Sequence, residues 1–287
     1  MRRPTRPTSL LAGPTGDIEY LTVGQGEPTT LFAHGLTGSI STTRPFASGV
    51  HGARTFLSFR GHGASEAPET DWTYPALAAE LRAVADHVAA TRCLGVSMGA
   101  GALCTLLART PHRFDRLVFV LPTPVDRRRP DCVPGRFLAL ADLVDAHDRA
   151  GITGLLLAEQ PSDIRDEPVV RRWAVEQAAF LAGTPVSRAL RTVPFEVPLT
   201  DREVLCAVTT PALVIGQEGD DVHPADVARD LAAELPNAEL EILPPGGVLW
   251  GHRARVRELV STFLADPVPP CESSSGAFAS SSHHEHA

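Results

Sequence analysis

The stretch GVSMG at residues 95–99 follows a short apolar segment, 92–94, and precedes a run of small residues, 100–103. That order predicts a strand, a sharp turn with Ser97 at its tip, and a helix. A side chain at Gly95 or Gly99 would collide with the facing elements of so tight a turn. A G-x-S-x-G pattern alone is common, but these flanks favour a nucleophilic Ser97 over a serine that caps a packed helix.

Short apolar segments alternate with helical patterns on both sides of this turn. Strands are predicted at 18–23, 30–33, 55–59, 116–121, 212–216 and 238–243, and helices at 74–90, 225–235 and 253–264. Strands that are apolar along their whole length are typical of a parallel sheet covered on both faces. The sequence therefore predicts an α/β fold with a mostly parallel central sheet and helices on both faces.

A segment of different character interrupts the alternation. Residues 125–200 carry helical patterns and scattered prolines, which indicates a helical cap over the strand ends, where open α/β sheets bind ligands. We therefore divide the chain into a first core part at 1–124, the cap at 125–200, a second core part at 201–266 and a tail at 267–287. The tail is rich in proline, serine and histidine and is predicted to be disordered.

A nucleophilic serine needs a base, a carboxylate that orients the base, and donors for the oxyanion. With a strand–serine–helix turn, these groups follow in the order serine, acid, histidine. The acid is expected in the loop 216–224, where Asp220 is favoured by its place relative to Pro224 and Asp221 is the alternative. The base is expected after the last strand, where His252 is the histidine of segment 243–252.

Two backbone N–H groups are expected to form the oxyanion hole. One is that of Met98, directly after the nucleophile, and the other is that of Leu36, after the strand that ends at His34 and Gly35. Gly35 lets the backbone approach closely, and Gly38 helps the loop to turn.

Four motifs in this order resemble the α/β-hydrolase family of the single-domain, capped type. They are His34-Gly35 after a strand, the RGHGAS run at 60–65, the turn at 95–99, and Gly216, Asp220 and Pro224 in the late loop. The resemblance covers about residues 18–265. It implies the α/β-hydrolase fold with a cap insertion and a serine nucleophile that forms an acyl-enzyme.

The chain departs from the family pattern in two places. Ser58 stands where an aspartate is usual, which we expect to affect packing only. Gly247-Val248 stands where family members usually carry a Gly-His pair, and His252 follows four residues later. Either the loop brings His252 back to Ser97 or the base is missing, with His223 as a distant substitute. His34 and His62 belong to the family motifs, as structural or oxyanion-side histidines.

These observations predict a serine hydrolase, of carboxylesterase type, that cleaves an ester or thioester of a small, largely apolar molecule. The resemblance implies no metal or organic cofactor. An acyltransferase or a C–C bond hydrolase would use the same groups. A non-catalytic binding protein on the same fold is the other alternative, because of Val248 at the usual histidine position.

Composition narrows the partners and the compartment. The 287 residues carry a formal net charge of −8 and no basic stripe with interleaved aromatics, so nucleic acid is not an expected partner. The arginine run at 127–129 is predicted to be a solvated loop. The five cysteines are dispersed, which predicts reduced thiols without a metal site. Since no signal-like or transmembrane run is found, we expect a cytoplasmic protein without a membrane partner. The oligomeric state stays open.

Overall fold

The computed structural model describes residues 7–130, 132–162 and 164–265, so the predicted disordered tail lies outside the described residues. Within these ranges, one eight-stranded sheet has the strand order β1-β2-β4-β3-β5-β6-β7-β8. The strands are β1 (Ser9–Gly13), β2 (Gly16–Val23), β3 (Thr29–Ala33), β4 (Ala53–Leu57), β5 (Arg92–Val96), β6 (Arg116–Val120), β7 (Ala212–Gln217) and β8 (Ala238–Leu243). Only β1–β2 and β2–β4 pair antiparallel among these strands, which confirms the predicted mostly parallel sheet.

Helices follow most of the parallel strands. The α-helices are α1 (Ile40–Thr43), α2 (Tyr74–His87), α3 (Met98–Leu107), α4 (Cys132–Asp145), α5 (Arg149–Ala158), α6 (Pro168–Leu181), α7 (Ser187–Thr192), α8 (Ala225–Glu234) and α9 (Arg253–Ala265). Shorter 3₁₀ turns lie at Arg44–Ala47, Val193–Phe195 and Arg202–Ala207, and one π-helical turn spans Gly247–Gly251. None of the helices in the described ranges is both long and apolar enough to cross a membrane.

Neighbouring residues of each central strand contribute to two different apolar cores. Cys93 of β5 belongs to the core that also contains buried residues of α2, α3 and α8, whereas Leu94 belongs to the core formed with α9. This alternation follows from the period-two geometry of a strand. It explains why β5, β6 and β7 are buried along almost their whole length: helices cover both faces of the sheet.

Helices α4 to α7 lie in the chain between β6 and β7, the region where the sequence places a cap. Within this group, α4 packs against α7 and α5 packs against α6. The boundaries 125 and 200, and the division of the chain into core and cap, stay a prediction.

A carboxylate from β2 supports the turn in which Ser58 replaces the usual aspartate. Glu19 Oε2 accepts hydrogen bonds from Ser58 Oγ at 2.8 Å and from the Ala64 N–H at 3.0 Å. Arg60, in the same turn, forms a buried ion pair with Glu80 of α2 at 2.7 Å. These contacts fix the loop that carries His62 beside the carboxyl ends of the strands.

Candidate active site

Ser97 lies on the turn between β5 and α3 in a strained backbone conformation, with φ 49° and ψ −108°. A Cβ on Gly95 would lie 2.6 Å from the Gly99 carbonyl oxygen, and a Cβ on Gly99 would lie 2.6 Å from that of Ala33. Both approaches are too close for any side chain, as the sequence predicts. Ser97 occupies the N-cap position of α3, but its side chain makes no capping hydrogen bond. The hydroxyl group is therefore available for another partner.

That partner is His223. Its Nε2 lies 2.8 Å from Ser97 Oγ, and its Nδ1 lies 3.2 Å from Asp220 Oδ2. A neutral imidazole with its proton on Nδ1 satisfies both contacts, because Nδ1–H donates to the carboxylate and Nε2 accepts from the hydroxyl. The structure thus brings a hydroxyl, an imidazole and a carboxylate into one hydrogen-bonded chain.

One short loop after β7 supplies both the imidazole and the carboxylate. Asp220 Oδ1 accepts hydrogen bonds from the N–H groups of Val222 and His223, each at 2.9 Å. Gly219, with φ 74°, makes the turn into this loop, and Pro224 precedes α8. Burial raises the pKa of Asp220, but the hydrogen bonds and the charge of His223 outweigh it and lower this pKa to about 2. The carboxylate is therefore ionised over the whole physiological range.

The alternative acid, Asp221, points elsewhere. Its Oδ2 lies 3.3 Å from the Arg136 guanidinium, and its side chain is 76% exposed. Of the two neighbouring aspartates, Asp220 is the one that contacts the imidazole.

The expectation that His252 approaches Ser97 is wrong. The Nε2 atom of His252 lies 3.2 Å from the carbonyl oxygen of Pro245, and the serine contact is taken by His223. The physical reason is the π-helical turn Gly247–Gly251, in which the His252 N–H donates to the Gly247 carbonyl at 3.3 Å. This turn holds His252 at the entrance to α9.

A signal for His223 was present in the sequence. It lies three residues after Asp220 and directly before Pro224, and an aspartate commonly turns the following backbone back onto its own side chain. A histidine at that spacing can reach the carboxylate without any long-range contact. Chain order alone favoured the later histidine.

The carbonyl group of the peptide between Gly35 and Leu36 is held by two hydrogen bonds. The Gly35 carbonyl accepts hydrogen bonds from His34 Nδ1 at 2.7 Å and from the Gly38 N–H at 2.8 Å. Because a trans peptide is planar, the Leu36 N–H points in the opposite direction. A Cβ on Gly35 would lie 3.3 Å from Ser97 Cβ, so this peptide borders the serine.

Buried histidines support this loop. Burial lowers the pKa of His34 well below its ordinary value, which keeps the ring neutral. Its Nε2 then accepts from the Phe59 N–H at 3.0 Å while Nδ1 donates to Gly35. His62, whose pKa is also lowered by burial, contacts the Leu36 carbonyl through Nε2. The interpretation of both rings as structural or oxyanion-side groups agrees with these contacts.

The amide of Met98 directly follows Ser97 in the chain. Met98 is the first residue of α3, and the first N–H groups of a helix have no partner within the helix. The positive end of the helix dipole lies at the same place.

A cavity of about 290 Å³ opens beside Ser97. Its wall is formed by residues Gly35, Leu36, Thr37, Gly38, Thr42, Thr43, Phe46, Val96, Ser97, Leu121, Phe137, Trp173, Gln177, His223, Val248, Leu249 and Trp250. His223 is the one titratable side chain in that wall, and most of the other side chains are apolar. The cavity therefore suits an uncharged, largely apolar group.

Two tryptophans form one part of the cavity wall. Trp173 of α6 and Trp250 of the π-helical turn meet edge to face, with ring centroids 5.6 Å apart and an interplanar angle of 78°. Trp250 Nε1 donates to Gln160 Oε1 at 2.9 Å, which fixes the orientation of its ring.

Within the described part of the chain, histidine, cysteine, aspartate and glutamate side chains form no group of three or more that could hold a metal ion.

Comparison with known proteins assigns the family. The model of the alpha/beta hydrolase family matches residues 30–261, and the chain belongs to this family. The chain is 28% identical over 274 residues to a "putative non-heme chloroperoxidase" of Synechocystis sp., covering 87% of this chain and 95% of the relative. It is also 28% identical over 195 residues to a pimeloyl-[acyl-carrier protein] methyl ester esterase of Nitrosomonas europaea, covering 65% of this chain and 74% of that relative.

Solved structures agree with the fold. The crystal structure of the enol-lactonase from Burkholderia xenovorans LB400 has a TM-score of 0.74 and 20% sequence identity, and covers 90% of this chain and 100% of that chain. At this level of identity the likeness shows the fold. Family membership and the esterase among the relatives support a hydrolytic role for this chain.

The lowered pKa of Asp220 predicts an acid-dependent loss of stability. The ionised carboxylate of Asp220 stabilises the folded state above about pH 4. This stabilisation is lost as the pH falls toward about 2, where the carboxylate is protonated in the folded protein. We expect it to amount to about 2 kcal/mol of the free energy of unfolding. Asp220→Asn should therefore show a flatter pH dependence in chemical denaturation measured from about pH 5 to about pH 2.5.

The control is Asp221→Asn, which changes the adjacent, exposed carboxylate. It should keep the pH dependence of the unmodified protein. Equal pH dependence in Asp220→Asn and Asp221→Asn would contradict the assigned role of Asp220.

Proposed function

We propose that this protein is a serine hydrolase that cleaves an ester or thioester of a small, largely apolar molecule through an acyl-enzyme. The observation that carries this proposal is the 2.8 Å contact between Ser97 Oγ and His223 Nε2. A hydroxyl group is activated when a base lies within hydrogen-bonding distance of it and a third group orients that base.

In the proposed mechanism, Ser97 Oγ attacks the carbonyl carbon and His223 Nε2 takes the hydroxyl proton. The bond to the leaving group then breaks, and the imidazolium gives its proton to the departing oxygen or sulfur. Asp220 holds the ring in the required tautomer and stabilises its positive charge. Water, deprotonated by the same imidazole, attacks the acyl-enzyme and releases a carboxylic acid and free Ser97.

We infer that the amides of Leu36 and Met98 stabilise the oxyanion. The orientation of the Gly35–Leu36 peptide and the position of Met98 at the start of α3 support this role. Two N–H groups that are fixed before the reaction need no reorganisation when the negative charge develops.

The cavity supports the substrate class. A volume of about 290 Å³ corresponds to roughly ten water-sized groups. Since the wall holds no carboxylate, ammonium or guanidinium group, a charged acyl chain would be desolvated there without a counter-charge. The names of an ester esterase and an enol-lactonase among the similar proteins agree with carboxylic ester chemistry.

The non-catalytic alternative arose from the missing histidine at Val248. The position of His223 beside Ser97 supports a catalytic site over this alternative, because an imidazole other than that of the usual histidine contacts the serine. Acyl transfer differs from hydrolysis only in the acceptor, so analysis of products in water and in water with an added alcohol separates the two reactions.

Substitution of the proposed nucleophile and base tests this function directly. We expect Ser97→Ala to abolish labelling by a fluorophosphonate probe and hydrolysis of short-chain p-nitrophenyl esters. His223→Ala should lower kcat/KM by about 10²- to 10⁴-fold, the usual contribution of a general base. Steady-state kinetics with these esters measures both effects.

His252→Ala is the matched control, because this histidine lies outside the cavity and contacts Pro245. It should keep kcat/KM within about threefold of the unmodified enzyme. Loss of activity in His252→Ala with retained activity in His223→Ala would overturn the proposed base.

The tryptophan pair predicts a limit on acyl-chain length. We expect Trp173→Ala to enlarge the cavity and to raise the kcat/KM of longer p-nitrophenyl esters relative to short ones. Each methylene of the acyl chain that is buried in the enlarged cavity contributes about 0.8 kcal/mol, or about fourfold in kcat/KM. A series of esters with increasing chain length measures this ratio.

The control for this substitution is Val175→Ala on the same helix, where the side chain is 57% exposed. Its chain-length profile should match that of the unmodified enzyme. An unchanged profile in Trp173→Ala would show that the pair does not limit the substrate.

A further inference from the structure

The three arginines at 127–129 have different surroundings, although the sequence predicts one solvated loop. Arg127 and Arg128 are exposed, whereas Arg129 is half-buried. One Arg129 nitrogen donates to the Val222 carbonyl at 3.0 Å, and another donates to Thr123 Oγ1 at 2.5 Å. Arg129 therefore joins the strand end after β6 to the loop that carries the proposed base.

The contact with Val222 acts on a particular peptide bond. The Val222 carbonyl and the His223 N–H belong to the same planar peptide unit. Arg129 takes the carbonyl, and Asp220 Oδ1 takes the N–H at 2.9 Å. With both polar groups bound on opposite sides, the plane of this peptide is fixed, and with it the direction in which the His223 side chain leaves the backbone.

The guanidinium is itself held by buried groups. Thr123 is only 2% exposed, and buried Tyr74 lies beside both Thr123 and Arg129. A planar guanidinium can donate in two fixed directions at once, which the single ammonium of a lysine cannot reproduce. The arrangement is thus specific for arginine.

We propose that Arg129 is a positioning residue for the base: it fixes the Val222–His223 peptide so that the imidazole Nε2 points at Ser97. This inference rests on the proposed function. Arg129 acts through His223 and does not belong to the cavity wall. A small displacement of a catalytic group costs on the order of 10²-fold in rate, so the effect should appear in kcat.

A second arginine contacts the same loop and serves as a comparison. Arg136 pairs with Asp221 at 3.3 Å, but both side chains are exposed, 41% and 76% respectively. An exposed ion pair of this kind contributes little to the stability of the folded loop. Arg136 contacts the side chain of Asp221 and not the Val222–His223 peptide.

The experiment compares Arg129→Ala and Arg129→Lys with Arg128→Ala and Arg136→Ala on a short-chain p-nitrophenyl ester. We expect Arg129→Ala to lower kcat about 10- to 100-fold with KM changed less than about threefold. Arg129→Lys should recover only part of this loss, and added guanidinium at low concentration should restore activity to Arg129→Ala. Both control variants should stay close to the unmodified enzyme.

A double substitution separates positioning of the base from general destabilisation. In the His223→Ala background there is no base to position, so Arg129→Ala should lower the residual kcat by less than about twofold. An undiminished effect in that background, or kcat in Arg129→Ala equal to that of Arg128→Ala, would overturn the inference. Full activity in His223→Ala alone would instead refute the proposed function on which the inference rests.

Discussion

The hydrogen bond between Ser97 Oγ and His223 Nε2 is the contact on which the rest of the site depends. It joins two loops that follow different strands, β5 and β7, and those strands are separated in the sheet only by β6. The parallel arrangement brings the carboxyl ends of all three to one edge. The serine turn and the Asp220–His223 loop can therefore meet without any movement of the core.

Two residues beside this contact have strained backbone conformations. Ser97 has φ 49°, and Leu121, at the end of the neighbouring strand β6, has φ 46°. Each such conformation costs on the order of 1–3 kcal/mol in a residue other than glycine. Both residues line the cavity, and the buried sheet beneath them supplies the packing that keeps them in place.

The fold could be predicted from the sequence because its signals are local. Apolar strands, the helical spacing of α2 and the glycines around Ser97 each specify their own element, and chain order then selects one topology. The same holds for Asp220, whose place before Pro224 is a property of a single loop.

The proposed base, His223, could not be predicted by the same reasoning, because the choice between His223 and His252 depends on the conformations of two different loops. A π-helical turn at Gly247–Gly251 has no simple sequence signature, and it decides where His252 lies. Arg129 was missed for a related reason: three adjacent arginines look alike in sequence, and only the path of the chain after β6 makes one of them half-buried. Val248 and Leu249, which follow the last strand, became part of an apolar wall.

A crystal structure of the protein after reaction with a fluorophosphonate distinguishes His223 from His252 as the base, because the adduct marks the nucleophile and shows which imidazole faces it. The proposed mechanism predicts phosphorus on Ser97 Oγ and His223 Nε2 within about 3 Å of Ser97 Oγ or of a phosphonyl oxygen. It would be contradicted by an adduct in which the His252 ring takes that place, or in which no imidazole lies beside Ser97.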